Sequence, residues 1–265
     1  MSDPVIRVDG LTTHYGDHRV LDGIDFCVEP GEIVVIMGGS GSGKSTLLNH
    51  LLGLLQPTSG RVEILGTEIN ACSSRELEVV RRRTGVAFQS GALFSSLSVG
   101  DNIRLPLEEH TRLDRSTIDI MMRLKLEAVE LAGNEAVMPA QLSGGMVKRA
   151  ALARAVVMDP KLLFCDEPSA GLDPVVAASV DQLIVKLRDA LGMSIVVVTH
   201  ELESAFTIAD RILVLDQGTI LASGTPAELR DHPNERLQNL FNRRPEVAAF
   251  DADAYLDRLM GSGNL

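Results

Sequence analysis

Aromatic side chains are scarce in this 265-residue chain, with no Trp, two Tyr and seven Phe, 3% in all. Few flat rings remain on which single-stranded bases can stack. Positive charge is also in deficit: 25 Lys and Arg stand against 36 Asp and Glu, for a formal net charge of −11. The chain as a whole therefore repels nucleic acid and anionic membrane surfaces, and no nucleic-acid partner is expected. Its three cysteines, Cys27, Cys72 and Cys165, lie far apart, without the paired spacings of zinc or redox sites. They read as reduced, mostly buried thiols of a cytosolic protein. No apolar run reaches the roughly 18 residues of a membrane helix. The opening MSDPVIRVDG lacks the basic and apolar regions of a secretory signal, so none is expected. What remains is ordinary globular usage, 45% hydrophobic and 23% charged, at a length that suits one large domain or a core with a subdomain.

Residues 5–8 and 20–28 alternate or run apolar around the turn residues Gly16, Asp17, Pro30 and Gly31, which predicts β hairpins at the start. A continuous apolar strand over 32–37 then passes into a glycine-rich loop. That loop opens a helix with Leu47, Leu48, Leu51, Leu52 and Leu55 at helical spacing. Strand, glycine loop and helix in this order are the first half of a βαβ unit. The stretch 98–158 changes character. Ile118, Met121, Met122, Leu126 and Val129 line one helical face, and the stretch is read as a helical subdomain inserted into an α/β core. Apolar strands at 162–165 and 195–198, separated by a helix over 174–191, suit a parallel sheet covered on both faces. A short β pair is expected at 212–215 and 219–222, followed by small helices. The expected fold is thus α/β: a P-loop core with a mainly parallel sheet, an N-terminal antiparallel β subdomain and an inserted α-helical subdomain. Its expected extent is residues 1–240, with 241–265 a C-terminal extension.

The loop Gly38-Gly39-Ser40-Gly41-Ser42-Gly43-Lys44-Ser45 fits G-x-x-x-x-G-K-[ST] and sits between a strand and a helix as that motif requires. Backbone N–H groups must wrap a triphosphate at close range, and glycines leave the approach open. Lys44 then reaches the β- and γ-phosphates, and the Ser45 hydroxyl ligates Mg²⁺, with Thr46 next in the helix. A second apolar strand ends in Asp166 and Glu167. Carboxylates at the C-terminal end of a parallel strand lie where α/β sheets bind ligands. Asp166 is assigned to Mg²⁺ and Glu167 to polarising the attacking water; the other reading of the pair, acids decorating a helix start, stays open because Pro168 follows. These motifs define only a P-loop NTPase.

Leu142-Ser143-Gly144-Gly145-Met146 leads into a helix carrying Lys148, Arg149 and Arg154. Ser143 is a natural N-cap, and two glycines at a helix start leave N–H groups bare, so this reads as a second anion-binding surface or as an ordinary capped helix. His200-Glu201 superficially suggests a zinc helix, but H-E-x-x-H needs a His where Ser204 stands.

Taken together, these motifs resemble the nucleotide-binding subunit of ATP-binding cassette (ABC) transporters, over nearly the whole chain from Tyr15 to about Gly224. The resemblance implies that Tyr15 stacks on adenine, that Gln89 senses Mg²⁺ and the water, and that Ser143, Gly144 and Gly145 belong to the signature motif. It further implies that the loop from Ser169 to Asp173 contacts the opposite subunit and that His200 is the switch histidine on the γ-phosphate. Catalysis is then assigned to Glu167, His200, Gln89 and Lys44, and the metal to Ser45, Gln89 and Asp166, with ATP and Mg²⁺ bound. Family members dimerise head to tail, so a second copy is an expected partner. Met146 departs from the family's usual Gln and cannot make the same hydrogen bonds. That Met, with the stretch 89–99, looks like the ATPases of Mla-type, Mce-associated lipid transporters. The likeness implies phospholipid moved between inner and outer membranes, and a place on the cytoplasmic face of the inner membrane. The implied partners are a membrane permease received by Leu93, Phe94 and Leu97, a periplasmic lipid-binding Mce protein and a small cytosolic accessory protein. The competing functions are an ATPase that signals through a membrane partner without moving cargo, and a DNA- or ribosome-associated ABC ATPase.

Overall fold

The computed structural model describes residues 3–242. The chain forms two compact units, one running to Asp231 and one from His232. The first unit opens with a hairpin of β1 (Ile6–Tyr15) and β2 (His18–Val28), then β3 (Ile33–Gly38) and α1 (Lys44–Leu51). β4 (Ser59–Ile64), β5 (Thr67–Glu68), α2 (Ser74–Arg82) and β6 (Thr84–Ala87) follow. The helical stretch consists of α3 (Val99–His110), α4 (Arg115–Ala128) and α5 (Gly144–Ala155). The chain returns through β7 (Leu162–Asp166), α6 (Pro174–Leu191), β8 (Ser194–Val198), α7 (Leu202–Ile208), β9 (Arg211–Asp216), β10 (Thr219–Gly224) and α8 (Pro226–Arg230). In the second unit, α9 (Glu235–Phe241) starts at an Asn234 cap. Of the C-terminal extension expected from 241, residues 243–265 lie outside the described residues. Among the described residues no helix is long and apolar enough to cross a membrane.

Two sheets result. One is antiparallel, in the order β2-β1-β4-β5; the other runs β10-β9-β3-β8-β7-β6, parallel throughout except for β10. Every residue of β3 and β8 is buried, as continuous apolar strands in a sheet covered on both faces require. Leu47, Leu48 and Leu51 of α1 join one core with Ile6 and Val62 of the antiparallel sheet and Val34, Ile36 and Phe164 of the parallel one. α1 is shorter than the leucine spacing predicts: it ends at Leu51, Leu52 is its C-cap, and Leu55 lies beyond. Residues 59–87 hold three strands and a helix that hydrophobic spacing did not reveal. Val80 is the one buried residue of α2, and β4 begins on three exposed ones, so neither has a strong apolar stripe.

The parallel register positions the site. Ile36, Val198 and Asp166 fall in one row across β3, β8 and β7, and Cys165 pairs with Ala87 of β6. The loops after these four strands therefore leave the same edge of the sheet. The first carries Gly39 to Lys44, and the others carry Thr199 and His200, Glu167, and Gln89.

Two buried polar side chains fasten helices to the segments packed beside them. His50, near the end of α1, is 1% exposed. Its Nδ1 donates to the Leu55 carbonyl (3.0 Å) and its Nε2 accepts from the Thr13 hydroxyl of β1 (2.7 Å), a neutral tautomer assigned from these partners. Burial lowers its pKa from the ordinary value, against the pull of the Leu55 carbonyl. Asn102 of α3 is fully buried and takes the Phe94 N–H at 2.8 Å. Its amide donates to the carbonyls of Phe94, Leu97 and Ser98 at 3.1, 3.2 and 2.9 Å.

Asn102→Ala leaves those loop groups without their buried partner, and is expected to lower the unfolding free energy by about 2–3 kcal/mol in urea titrations. For His50, an unfolded imidazole takes up a proton below about pH 6.5 while the folded one resists until lower pH. Its contribution is thus complete above that value and lost as pH falls through the window. Wild type should lose more stability than His50→Gln when the titration is repeated at acid pH.

Candidate functional site

The phosphate loop is shaped by close approaches. Gly38 ends β3 at φ 157°, and a Cβ there would lie 2.2 Å from the Leu215 carbonyl oxygen of β9. Gly43 caps α1 in the left-handed region at φ 104°, and its Cβ would meet the Leu21 side chain at 2.6 Å. Side chains are excluded at both positions, which holds the loop against the sheet and the hairpin. The first N–H groups of α1 have no carbonyl of an earlier turn to bond, so they are available to an anion. Lys44 Nζ donates to the carbonyls of Gly38 and Gly39, both at 2.8 Å. Burial lowers its pKa, opposed by the charges of Glu167 and Asp166. The Ser42 hydroxyl is buried and has no hydrogen-bond partner among the described residues.

Opposite the loop stand the acids. Asp166 closes β7, and its pKa is raised by burial and by Glu167, opposed by Lys148 and Lys44. Glu167 adopts φ 48°, rare for a residue with a side chain. It begins a turn, not a helix: α6 starts seven residues later at Pro174, so the acids close a strand and do not decorate a helix start. The Glu167 N–H donates to the Val198 carbonyl (2.8 Å) and its carboxylate meets two side chains from the end of β8. The Thr199 hydroxyl donates to Oε2 at 3.0 Å, and His200 Nδ1 lies 2.6 Å from Oε1. Thr199 is fully buried, whereas the His200 side chain is 58% exposed.

The structure thus brings Lys44, Asp166, Glu167 and His200 together at one sheet edge, with exposed Gln89 on the adjoining loop, where Lys148 bridges it to Glu167. Tyr15 stands 51% exposed at the end of β1, paired with His18 across the hairpin. Ser143 caps α5, accepting from Met146 N–H, and its helix start makes no hydrogen bond to the phosphate loop or the acids among the described residues. Asp173 caps α6, accepting from the N–H groups of Val175 and Val176. Ser169, in the preceding turn, contacts Ser204, which donates to buried Asp181 of α6 at 2.6 Å.

The basic side chains of α5 hold neighbouring segments: Lys148 and Arg154 donate to main-chain carbonyls, and Arg149 to Glu130, Ser179 and the Val129 carbonyl. Gly145 is buried, and a Cβ there would lie 2.5 Å from Val176, so close packing on α6 explains it; Gly144 remains exposed. Thr199 and Lys148 are the site's neighbours that motif spacing did not single out. A lysine inside an alanine-rich helix was the available signal. Among the described residues no group of three or more His, Cys, Asp or Glu could hold a metal.

A phosphate loop after the first strand of a parallel sheet, with acids and a histidine at the ends of its neighbours, defines a P-loop nucleoside triphosphatase. The ABC transporter family profile matches residues 21–170. The chain is 43% identical over 229 residues to the Haemophilus influenzae intermembrane phospholipid transport system ATP-binding protein MlaF, covering 86% of this chain and 87% of that one. It is 44% identical over 210 residues to the Mycobacterium bovis probable ribonucleotide transport ATP-binding protein mkl, covering 79% of this chain and 58% of that one. A solved dimeric structure of the ATP-binding cassette MJ0796, in a post-hydrolysis state with ADP and Pi, matches with a TM-score of 0.76 at 32% identity, over 83% of this chain and 98% of that one. This chain belongs to the ABC transporter family, and it binds and hydrolyses ATP.

Thr199→Val keeps the shape of the side chain but removes the donor to Glu167. It is expected to lower ATP turnover about tenfold with ATP affinity unchanged, as steady-state kinetics and equilibrium nucleotide titration will read.

Proposed function

We propose that this chain is the ATP-hydrolysing subunit of a phospholipid transporter of the bacterial envelope, acting as a pair of copies on the cytoplasmic face of a separate inner-membrane permease. The hydrolytic part rests on one observation: the Glu167 carboxylate is held between Thr199 and His200, facing Lys44 across the mouth of the phosphate loop. In that position Glu167 polarises the attacking water and His200 meets the γ-phosphate. Lys44 exchanges its bonds to the Gly38 and Gly39 carbonyls for phosphate oxygens, and the unpartnered Ser42 hydroxyl lies in the same loop. Gly39, Ser40, Gly41 and Gly43 let the backbone approach, Thr46 follows in α1, and Tyr15 stacks on the base.

The residues present suit Mg²⁺. Ser45, Gln89 and Asp166 offer hard oxygen donors, and a cation relieves the charge that burial and Glu167 disfavour on Asp166. When bound, the ion neutralises charge on the triphosphate.

The start of α5, with the Ser143 cap and exposed Gly144, makes no hydrogen bond to this chain's own loop or acids among the described residues, which supports a second copy supplying it to the nucleotide. Asp173 and its turn face the partner in the same arrangement. The permease is assigned to the apolar surface beside Gln89. Phe94 is 53% exposed, with Leu93 and Leu97 half-buried. A separate hollow of about 180 Å³ is lined by Leu54, Leu77, Val80 and Phe88, on the segment just before Gln89. Likeness to the phospholipid-transport relative supports the cargo; a periplasmic Mce protein and a small cytosolic accessory protein complete the proposed complex.

Glu167→Gln is expected to leave ATP binding nearly intact while removing most phosphate release, and Lys44→Ala to weaken both. Undiminished hydrolysis by Glu167→Gln would refute the role of Glu167. For the cargo, the permease complex is reconstituted in vesicles with labelled phospholipid or labelled ribonucleotide. ATP-dependent movement of the lipid alone is expected; movement of the ribonucleotide instead overturns the assignment.

A further inference from the structure

Lys148 is 9% exposed in the second turn of α5. A lysine is seldom buried this far unless its ammonium finds partners. Here its partners are main-chain carbonyls of the site: Nζ donates to Gln89 at 2.6 Å and to Glu167 at 2.8 Å. The two acceptors follow adjacent strands, β6 and β7, and among the described residues no side-chain carboxylate takes the ammonium's hydrogen bonds.

The contact is part of a wider seat. Two positions after the Lys148 acceptor, Gly91 packs on α5 so closely that a Cβ would lie 2.7 Å from Val147. Arg154, two turns along the helix, donates to the carbonyls of Gly91 (3.1 Å) and Ala92 (2.7 Å). The loop after β6 therefore rides on α5, and Lys148 is where that seat reaches Glu167. Glu167 is otherwise held by its N–H, by its carboxylate and by a longer bond that its carbonyl accepts from the Ala170 N–H (3.3 Å), in a left-handed conformation that its side chain disfavours. A bond to its carbonyl fixes the peptide that follows, and with it the rotation of the residue. The other end of α5 is the Ser143 start.

We propose that Lys148 is a positioning residue for ATP hydrolysis: by clamping the carbonyls of Gln89 and Glu167 together, it ties the aim of the Glu167 carboxylate to the seating of α5 and the loop after β6. It acts through Glu167 and Gln89 and contacts no nucleotide itself. The inference rests on the proposed role of Glu167. Burial lowers the Lys148 pKa while Glu167 and Asp166 raise it, so the cation is also matched to the acids it sits beside.

The test uses the full chain with its membrane partner, comparing Lys148→Met and Lys148→Arg for kcat, KM and ATP affinity. A misaimed carboxylate costs turnover, so Lys148→Met should lower kcat about 30-fold while KM and ATP affinity stay within about threefold. Lys148→Arg, which keeps charge and donors, should recover to within about fivefold of wild type. In a Glu167→Gln background, Lys148→Met should lower the residual rate by less than about twofold, since it has no carboxylate left to aim. Should Lys148→Met melt too low to assay, Lys148→Gln, which keeps an amide donor without the charge or the reach, takes its place with the same expectations. Wild-type kcat in Lys148→Met, an equal loss of ATP affinity, no recovery with Arg, or a full additional loss in the Glu167→Gln background would each overturn the proposal. Continued turnover by Glu167→Gln alone would instead overturn the role of Glu167.

Discussion

The parallel register of β3, β8, β7 and β6 is the constraint on which the rest of the molecule depends. Parallel strands all end at one edge, and here the row of Ile36, Val198 and Asp166 brings the phosphate loop, the Thr199–His200 pair and the Glu167 turn to that edge at neighbouring positions. Adjacent strands sit about 4.8 Å apart, a spacing that side chains from neighbouring strand ends can bridge. The register is held by apolar residues on both faces, since β3 and β8 are buried throughout. Slipping one strand by a residue would reverse the direction of each of its side chains and separate Glu167 from Thr199.

Within that frame, electrostatics is balanced locally. Asp166 and Glu167 are like charges in a half-buried place, which disfavours ionisation of Asp166. Lys44 and Lys148 offset them from two sides, and both ammonium groups are themselves disfavoured by burial. Four groups that would each be costly alone are thereby kept together at one edge of the sheet. Such opposed shifts are typical of sites where chemistry is done.

α5 gathers more functions than its motif declares. Its start is the Ser143 cap, its middle is packed alanines, and its basic side chains hold loops by their carbonyls. A rigid helix that touches the Gln89 loop and Glu167 gives the helical subdomain a direct mechanical route to the chemistry. Asn102 continues that route on the other side, by fixing the loop that displays Phe94.

Much of this was legible in the residues alone. The phosphate loop, the apolar strands, the helix from Pro174 and the β pair near the end of the first unit were readable because each pattern is local: a glycine spacing, a period, a turn. The acids at a strand end singled out Glu167, and the family resemblance His200, for the same reason. Residues 59–87 were not legible, since α2 buries a single side chain and β4 owes its strand to pairing with β1. Nor could spacing reveal that Gly145 answers to Val176, that Lys148 turns inward to two carbonyls, or that Thr199 holds Glu167. Those contacts join residues distant in the chain, and they exist only once strand register has brought the partners to one edge. Short-range chemistry was written in the sequence by itself; which groups meet was decided by the packing of the sheet and its helices.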